Sequence, residues 1–215
     1  MPDFSHLIFD LDGTLLNSKL GIGNSLDYMF AQMGIDVDGS VVLDDLIGPP
    51  IHDGLKNILG FDERQVELGV KLFREYYSTK GMFEAELFPG ISDMMEELQN
   101  RGKRLYIATS KTDRYMESVL RHFEIDRYLT DFQGVAGGKR HTKAGLITEL
   151  MERNQLIPNK NVVMVGDTIF DIVGGQANEI STTGVGYGFG NSVKIQELNP
   201  DYFVEVVEEL YELLV

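Results

Sequence analysis

The segment His6-Leu7-Ile8-Phe9-Asp10-Leu11-Asp12-Gly13-Thr14-Leu15 constrains the fold more than any other stretch of this 215-residue chain. Leu7, Ile8 and Phe9 are apolar without alternation, the pattern of a strand buried on both faces of a parallel sheet. The run then breaks into two carboxylates, Asp10 and Asp12, and a glycine suited to a turn. Open α/β sheets place their ligands beyond the carboxyl ends of the strands. Acidic residues two apart in extended chain point to one side, and their repulsion calls for a positive partner such as a hard divalent cation. A calcium-binding EF-hand loop is excluded. Its sixth and twelfth positions require Gly and Glu, and here they are Leu15 and Gly21.

From Gly21 to about Lys80 the pattern is helical: Leu26, Met29, Phe30 and Met33 recur at helical spacing, as do Val66, Val70, Phe73 and Tyr77. Gly34, Gly48-Pro49-Pro50 and Gly60 divide the run into short helices. Beyond Phe88 the pattern alternates. Helix Gly90–Asn100 precedes strand Arg104–Ala108, and helix Asp113–Phe123 precedes a short strand at Gln133–Ala136. Helix Lys143–Arg153, strand Val162–Val165 and helix Ile169–Asn178 follow. Strands at Ser181–Val185 and Tyr202–Val204 and a terminal helix complete the chain. Such alternation predicts an α/β fold, a parallel sheet with helices on both faces. The sheet domain spans 1–15 and 84–215, interrupted by a helical insert at 16–83. An insert placed directly after the acidic turn reads as a cap over that end of the sheet. The loop Ile47-Gly48-Pro49-Pro50 is the candidate for its element nearest the site.

Composition narrows the partners. With 19 basic against 34 acidic residues the net charge is −15, which argues against a nucleic-acid backbone as ligand. No apolar run approaches the roughly 18 residues that span a bilayer, and no signal peptide opens the chain. Cysteine is absent, so disulfides and thiolate metal sites are excluded, and a cytoplasmic setting is expected. An anionic substrate must therefore be held locally, by a few lysines and a metal.

Three further segments carry chemistry. The strand ending at Ala108 runs into Thr109-Ser110-Lys111. There a hydroxyl and the N–H groups of a helix start make an anion site, and helix capping is the bland alternative. Lys139, Arg140 and Lys143 form a basic cluster. It is no Walker loop, because only three residues separate Gly134 from Gly138 and Arg140 replaces Ser/Thr. Finally, Val162–Val165 leads into Gly166-Asp167, with Asp171 one helical turn further on. The glycines of Gly184-Val185-Gly186-Tyr187-Gly188 do not fit a dinucleotide fingerprint and read as a tight turn.

In this order, Asp10-x-Asp12-Gly13-Thr14-Leu15, Thr109, Lys143 and Gly166-Asp167-x-x-x-Asp171 resemble the four motifs of the haloacid dehalogenase superfamily. The Arg140-x-x-Lys143 spacing is similar to its phosphoglycolate phosphatase group. The resemblance covers essentially the whole chain and implies a Rossmann-like core with a helical cap. It further implies a Mg²⁺-dependent phosphatase acting on a small phosphorylated metabolite. Asp10 is then the nucleophile that forms an aspartyl-phosphate, and Asp12 the general acid and base. Mg²⁺ is held by Asp10, the backbone carbonyl of Asp12, and Asp167. Thr109, the Ser110 backbone and Lys143 bind the phosphoryl oxygens, and Asp171 orients the metal site or pairs with Lys143. The second acid, Asp12, argues against halide chemistry. A phosphosugar mutase, a 5′-nucleotidase and a catalytically idle binding module stand as alternatives. Oligomeric state is left open.

Overall fold

The computed structural model describes residues 2–36, 46–47, 51–136 and 142–215. The chain divides into two units, Met1–Asn17 with Leu87–Val215, and Ser18–Glu86. Leu16 N donates to Leu11 O at 2.9 Å and Gly13 N to Leu16 O at 2.8 Å, tying residue 16 back to the core.

The larger unit is built on a six-stranded sheet. In chain order its strands are β1 (His6–Phe9), β4 (Arg104–Thr112), β5 (Leu129–Val135), β6 (Val162–Gly166), β7 (Ser181–Val185) and β8 (Tyr202–Val204). Two short strands, β2 (Leu16–Asn17) and β3 (Glu86–Leu87), pair with each other where the chain passes between the units. The spatial order is β5-β4-β1-β6-β7-β8, and every described pairing is parallel. The first strand thus lies in the middle, between β4 and β6. Leu7, Ile8 and Phe9 have no exposed surface, which requires cover on both faces of the sheet. Ile8 packs with Tyr106, Met164, Ile147 and Leu150 in one hydrophobic cluster. That centre places Asp10, Thr109 and Asp167 at one edge of the sheet, each just beyond Phe9, Ala108 and Gly166.

Two expected boundaries change. Strand β4 continues through Thr112 where the sequence suggested an end at Ala108, and β5 begins at Leu129 rather than Gln133. The paired neighbour decides both: Ala108 is opposite Gln133 and Thr112 opposite Val135, so three residues of β4 bulge out against a single residue of β5.

The smaller unit contains α1 (Lys19–Met33), α2 (Ile51–Asn57) and α3 (Glu63–Tyr77) among its described residues. Helix α3 starts with a reciprocal capping box: Asp62 accepts from Gln65 N at 2.9 Å and Gln65 Oε1 from Asp62 N at 3.0 Å. Its buried Gly69 lets Leu55 and Met29 pack against the helix backbone. The Gly48-Pro49-Pro50 loop lies outside the described residues.

Candidate active site

The acidic turn is shaped by its backbone. Leu11 O accepts from the N–H groups of Thr14, Leu15 and Leu16, and Gly13 takes a φ of 83°. A side chain at Gly13 would run into the carboxylate of Asp167, so glycine is required for space as well as for its torsion. Asp10 Oδ1 accepts from Leu11 N at 2.7 Å, which fixes the carboxylate at the end of β1.

Lys143 opens helix α6 (Lys143–Arg153), whose N-cap Thr142 accepts from Gly145 N at 3.1 Å. A cation in a first helical turn is disfavoured by the helix dipole; here three acceptors offset it. Nζ lies 2.8 Å from Asp10 Oδ2 and 2.8 Å from Asp171 Oδ1, and donates to Ala108 O at 3.1 Å. Three acceptors thus surround an ammonium that has three donors. Burial alone would lower its pKa, but the two carboxylates hold it above the ordinary lysine range. Asp171 lies in α7 (Ile169–Ala177), directly against Gly166. Its Oδ2 accepts from Thr168 N at 2.9 Å and Thr168 Oγ1 at 2.7 Å. Asp171 therefore both caps the start of α7 and pairs with Lys143. Lys139 and Arg140 lie outside the described residues.

The bulge in β4 carries Thr109, Ser110 and Lys111. Thr109 is buried and its Oγ1 accepts from Lys111 N at 3.3 Å; Ser110 is half-buried. The strand extends to Thr112, and helix α5 (Asp113–His122) starts only afterwards. The expectation that Thr109 and Ser110 abut a helix start is thus corrected. Lys111 was not singled out by the sequence. Its buried Nζ reaches Asp12 Oδ2 at 2.9 Å. Positive charge thus stands beside both acidic residues of the turn. Each has its own lysine, Asp10 with Lys143 and Asp12 with Lys111, because β4 and α6 deliver the two ammoniums separately.

Asp167 is clasped on all sides. Its Oδ1 accepts from Thr14 Oγ1 at 3.1 Å and its Oδ2 from Phe189 N at 2.8 Å and Gly190 N at 3.3 Å. Side chains at Gly188 or Gly190 would collide with Asp167. The glycine-rich segment read as a tight turn is thus a sleeve around this carboxylate. Tyr187 closes it: its hydroxyl donates to Thr14 O at 3.0 Å and its ring meets Phe88 edge-on at 5.0 Å. Thr14 and Tyr187–Gly190 were missed, although Thr14 lay within the first motif.

Asp10, Asp167 and Asp171 are all buried and bring one carboxylate oxygen each within 4.8 Å of one another. Among the described residues they face a single ammonium, Lys143. Burial, with Asp171 adding to it against the pull of Lys143, pushes Asp10 up to about 6. Burial together with Asp171 and Asp10 pushes Asp167 up to about 7. An excess of buried carboxylate with hard oxygen donors fits a divalent cation. A testable linkage follows. An ordinary aspartate titrates near about 3.9, so between about pH 4 and 7 the metal-free folded chain binds more protons than the unfolded one. Its stability therefore falls as pH rises through that window. Urea unfolding should show this decline, and Mg²⁺ should raise stability more at pH 7.5 than at pH 5. A metal-free stability that climbs across the same window would contradict this account.

Residues 7–185 match the family model of haloacid dehalogenase-like hydrolases. A 5′-nucleotidase of Pseudomonas aeruginosa is 33% identical over 98% of this chain and 96% of its own length. The tyrosine-protein kinase PtkA of Mycobacterium tuberculosis is 32% identical over 97% of this chain and 72% of its own length. A phosphoglycolate phosphatase of Vibrio parahaemolyticus is 25% identical over 99% and 96%. Among solved structures, a haloacid dehalogenase-like hydrolase from Streptococcus pneumoniae superposes with a TM-score of 0.91 at 30% identity, covering 98% of each chain. The chain belongs to the haloacid dehalogenase-like hydrolase family. Within it, the chain is an enzyme of the phosphatase kind. No helix among the described residues is long and apolar enough to cross a membrane.

Proposed function

We propose that this chain is a Mg²⁺-dependent phosphomonoester hydrolase that acts on a small phosphorylated metabolite through an aspartyl-phosphate on Asp10. The observation that carries the reading is the buried Asp10–Lys143–Asp171 array beside Asp167. It sets a fixed carboxylate at the end of the central strand with positive charge next to it. Asp10 attacks phosphorus in line while the ester oxygen departs with a proton from Asp12. Asp12 then takes a proton from the water that cleaves the acyl phosphate, releasing inorganic phosphate and restoring Asp10. Lys143 keeps Asp10 ionised and oriented; with Thr109 and the Ser110 backbone it receives the phosphoryl oxygens. Asp10, the Asp12 carbonyl and Asp167 would hold Mg²⁺, which would supply positive charge against the transferring group. None of these residues lies in Ser18–Glu86, and we assign substrate choice to that helical unit, acting as a cap.

The similarity to a 5′-nucleotidase favours a second reading, in which the metabolite is a nucleoside 5′-monophosphate. A panel of 2-phosphoglycolate, nucleoside monophosphates and hexose phosphates separates the two. Inorganic phosphate should appear in step with substrate loss, require Mg²⁺, and fall when Ca²⁺ is added, since calcium takes more ligands at longer distances and spoils in-line attack. Full activity after thorough chelation would remove the metal from the mechanism. An isomeric sugar phosphate accumulating without inorganic phosphate would replace hydrolysis by mutase chemistry.

A further inference from the structure

We propose that Lys111 is the positioning residue of Asp12: it holds the carboxylate through Oδ2 and so fixes the side chain that protonates the leaving oxygen and then takes a proton from water. The inference rests on the hydrolase reading above. The Lys111 side chain is 4% exposed, with Nζ 2.9 Å from Asp12 Oδ2. Burying an ammonium costs several kcal/mol unless an anion meets it in good geometry, so this pair differs from the solvated pairs on the surface. The chain reaches it by an irregularity, the bulge of Thr109–Lys111 against β5, and bulges re-aim side chains. Gly134 on β5 accommodates it, since a Cβ there would stand 2.6 Å from Lys111 O.

The two oxygens of Asp12 are not equivalent. Oδ1 is buried and has no hydrogen-bond partner among the described residues, a condition rare for a polar atom and one that calls for a reason. An ammonium donates and never accepts, so Asp12 meets Lys111 as an acceptor and is held by it. In the first half-reaction a proton passes from Asp12 to the departing ester oxygen as the O–P bond breaks and the Asp10–phosphorus bond forms. In the second, Asp12 recovers a proton from water as the new O–P bond forms and Asp10 is released. Lys143 does not substitute for Lys111, because it lies against Asp10, Asp171 and Ala108 O.

The test uses the full chain with Lys111→Met, Lys111→Arg, and Asp12→Asn with and without Lys111→Met. On an alkyl phosphate, Lys111→Met should lower kcat by about 10²-fold, the lower end for loss of acid–base assistance, and leave KM within about threefold. On p-nitrophenyl phosphate, whose leaving group needs no proton, the burst of nitrophenolate should survive. Lys111→Arg should recover most of the alkyl-phosphate rate. In the Asp12→Asn background, Lys111→Met should cost less than about twofold further, because it acts through the residue already changed. Additive losses in that cycle would overturn the proposal. So would weakened inhibition by inorganic phosphate with kcat retained, which would make Lys111 a substrate contact. Equal loss of the aryl burst would do the same. Should Lys111→Met fail to fold, Lys111→Gln carries the same cycle. Wild-type protein that releases no phosphate from any ester would instead overturn the hydrolase reading itself, a result distinct from all of these.

Discussion

Replacing Asp10 by asparagine should abolish turnover while leaving the fold intact. The amide keeps the size of the carboxylate and still accepts from Leu11 N, so the end of β1 stays in place. Lys143 keeps its pair with Asp171 and its bond to Ala108 O. One negative charge is removed from a buried cluster of three carboxylates that among the described residues faces one ammonium. The metal-free protein should therefore unfold no earlier than wild type, and stabilisation by Mg²⁺ should shrink. Activity should fall below about a thousandth of wild type, because the nucleophile is gone and enzymes of this kind supply rate enhancements of roughly 10⁶-fold or more. Phosphate release and urea unfolding, measured on the same preparation, check both halves. Activity above that level would move the nucleophile elsewhere; inactivity with a collapsed fold would make Asp10 a structural residue.

The sheet was legible because its central strands carry a signal that little else mimics. Leu7–Phe9 and Val162–Val165 are apolar on both alternating sides, and both runs end in an acidic residue at the same sheet edge. The residues flagged from the four motifs lie within one unit, and three of them, Asp10, Lys143 and Asp171, touch one another through Lys143. What escaped was set by partners distant in sequence. Thr109-Ser110-Lys111-Thr112 reads as a polar turn, and only pairing with β5 keeps it in the sheet as a bulge. Lys111 could not be matched to Asp12 by spacing, because the bulge decides where its side chain goes. The Gly186–Gly190 segment has the composition of a turn, and its backbone N–H groups gain meaning only when Asp167 lies beside them. Helix α8 (Ser192–Glu197) is too short for periodicity to reveal, although Asn191 caps it through Lys194 N.

Asp12→Ala should split the reaction by its leaving group. Removing the side chain takes away the proton for the departing ester oxygen and the base for water, but leaves Asp10 with Leu11 N and Lys143 unchanged. An alkyl phosphate, whose oxygen leaves poorly without a proton, should lose about 10²–10⁴-fold in kcat, the range for general acid–base catalysis. An aryl phosphate with a good leaving group needs no such help, so it should still phosphorylate Asp10 and release its phenol in a burst. The acyl phosphate should then persist, because nothing activates the water that cleaves it. Rapid quench with labelled phosphate, followed by mass analysis of the intact chain, reads the intermediate directly. The variant also removes the Asp12 carboxylate from beside the buried Lys111 ammonium, so it should be destabilised. Asp12→Asn, which keeps an acceptor for Lys111, should recover much of that stability and none of the proton transfer. A burst lost from both variants alike would place Asp12 in the attack on phosphorus itself and remove its assignment as acid and base.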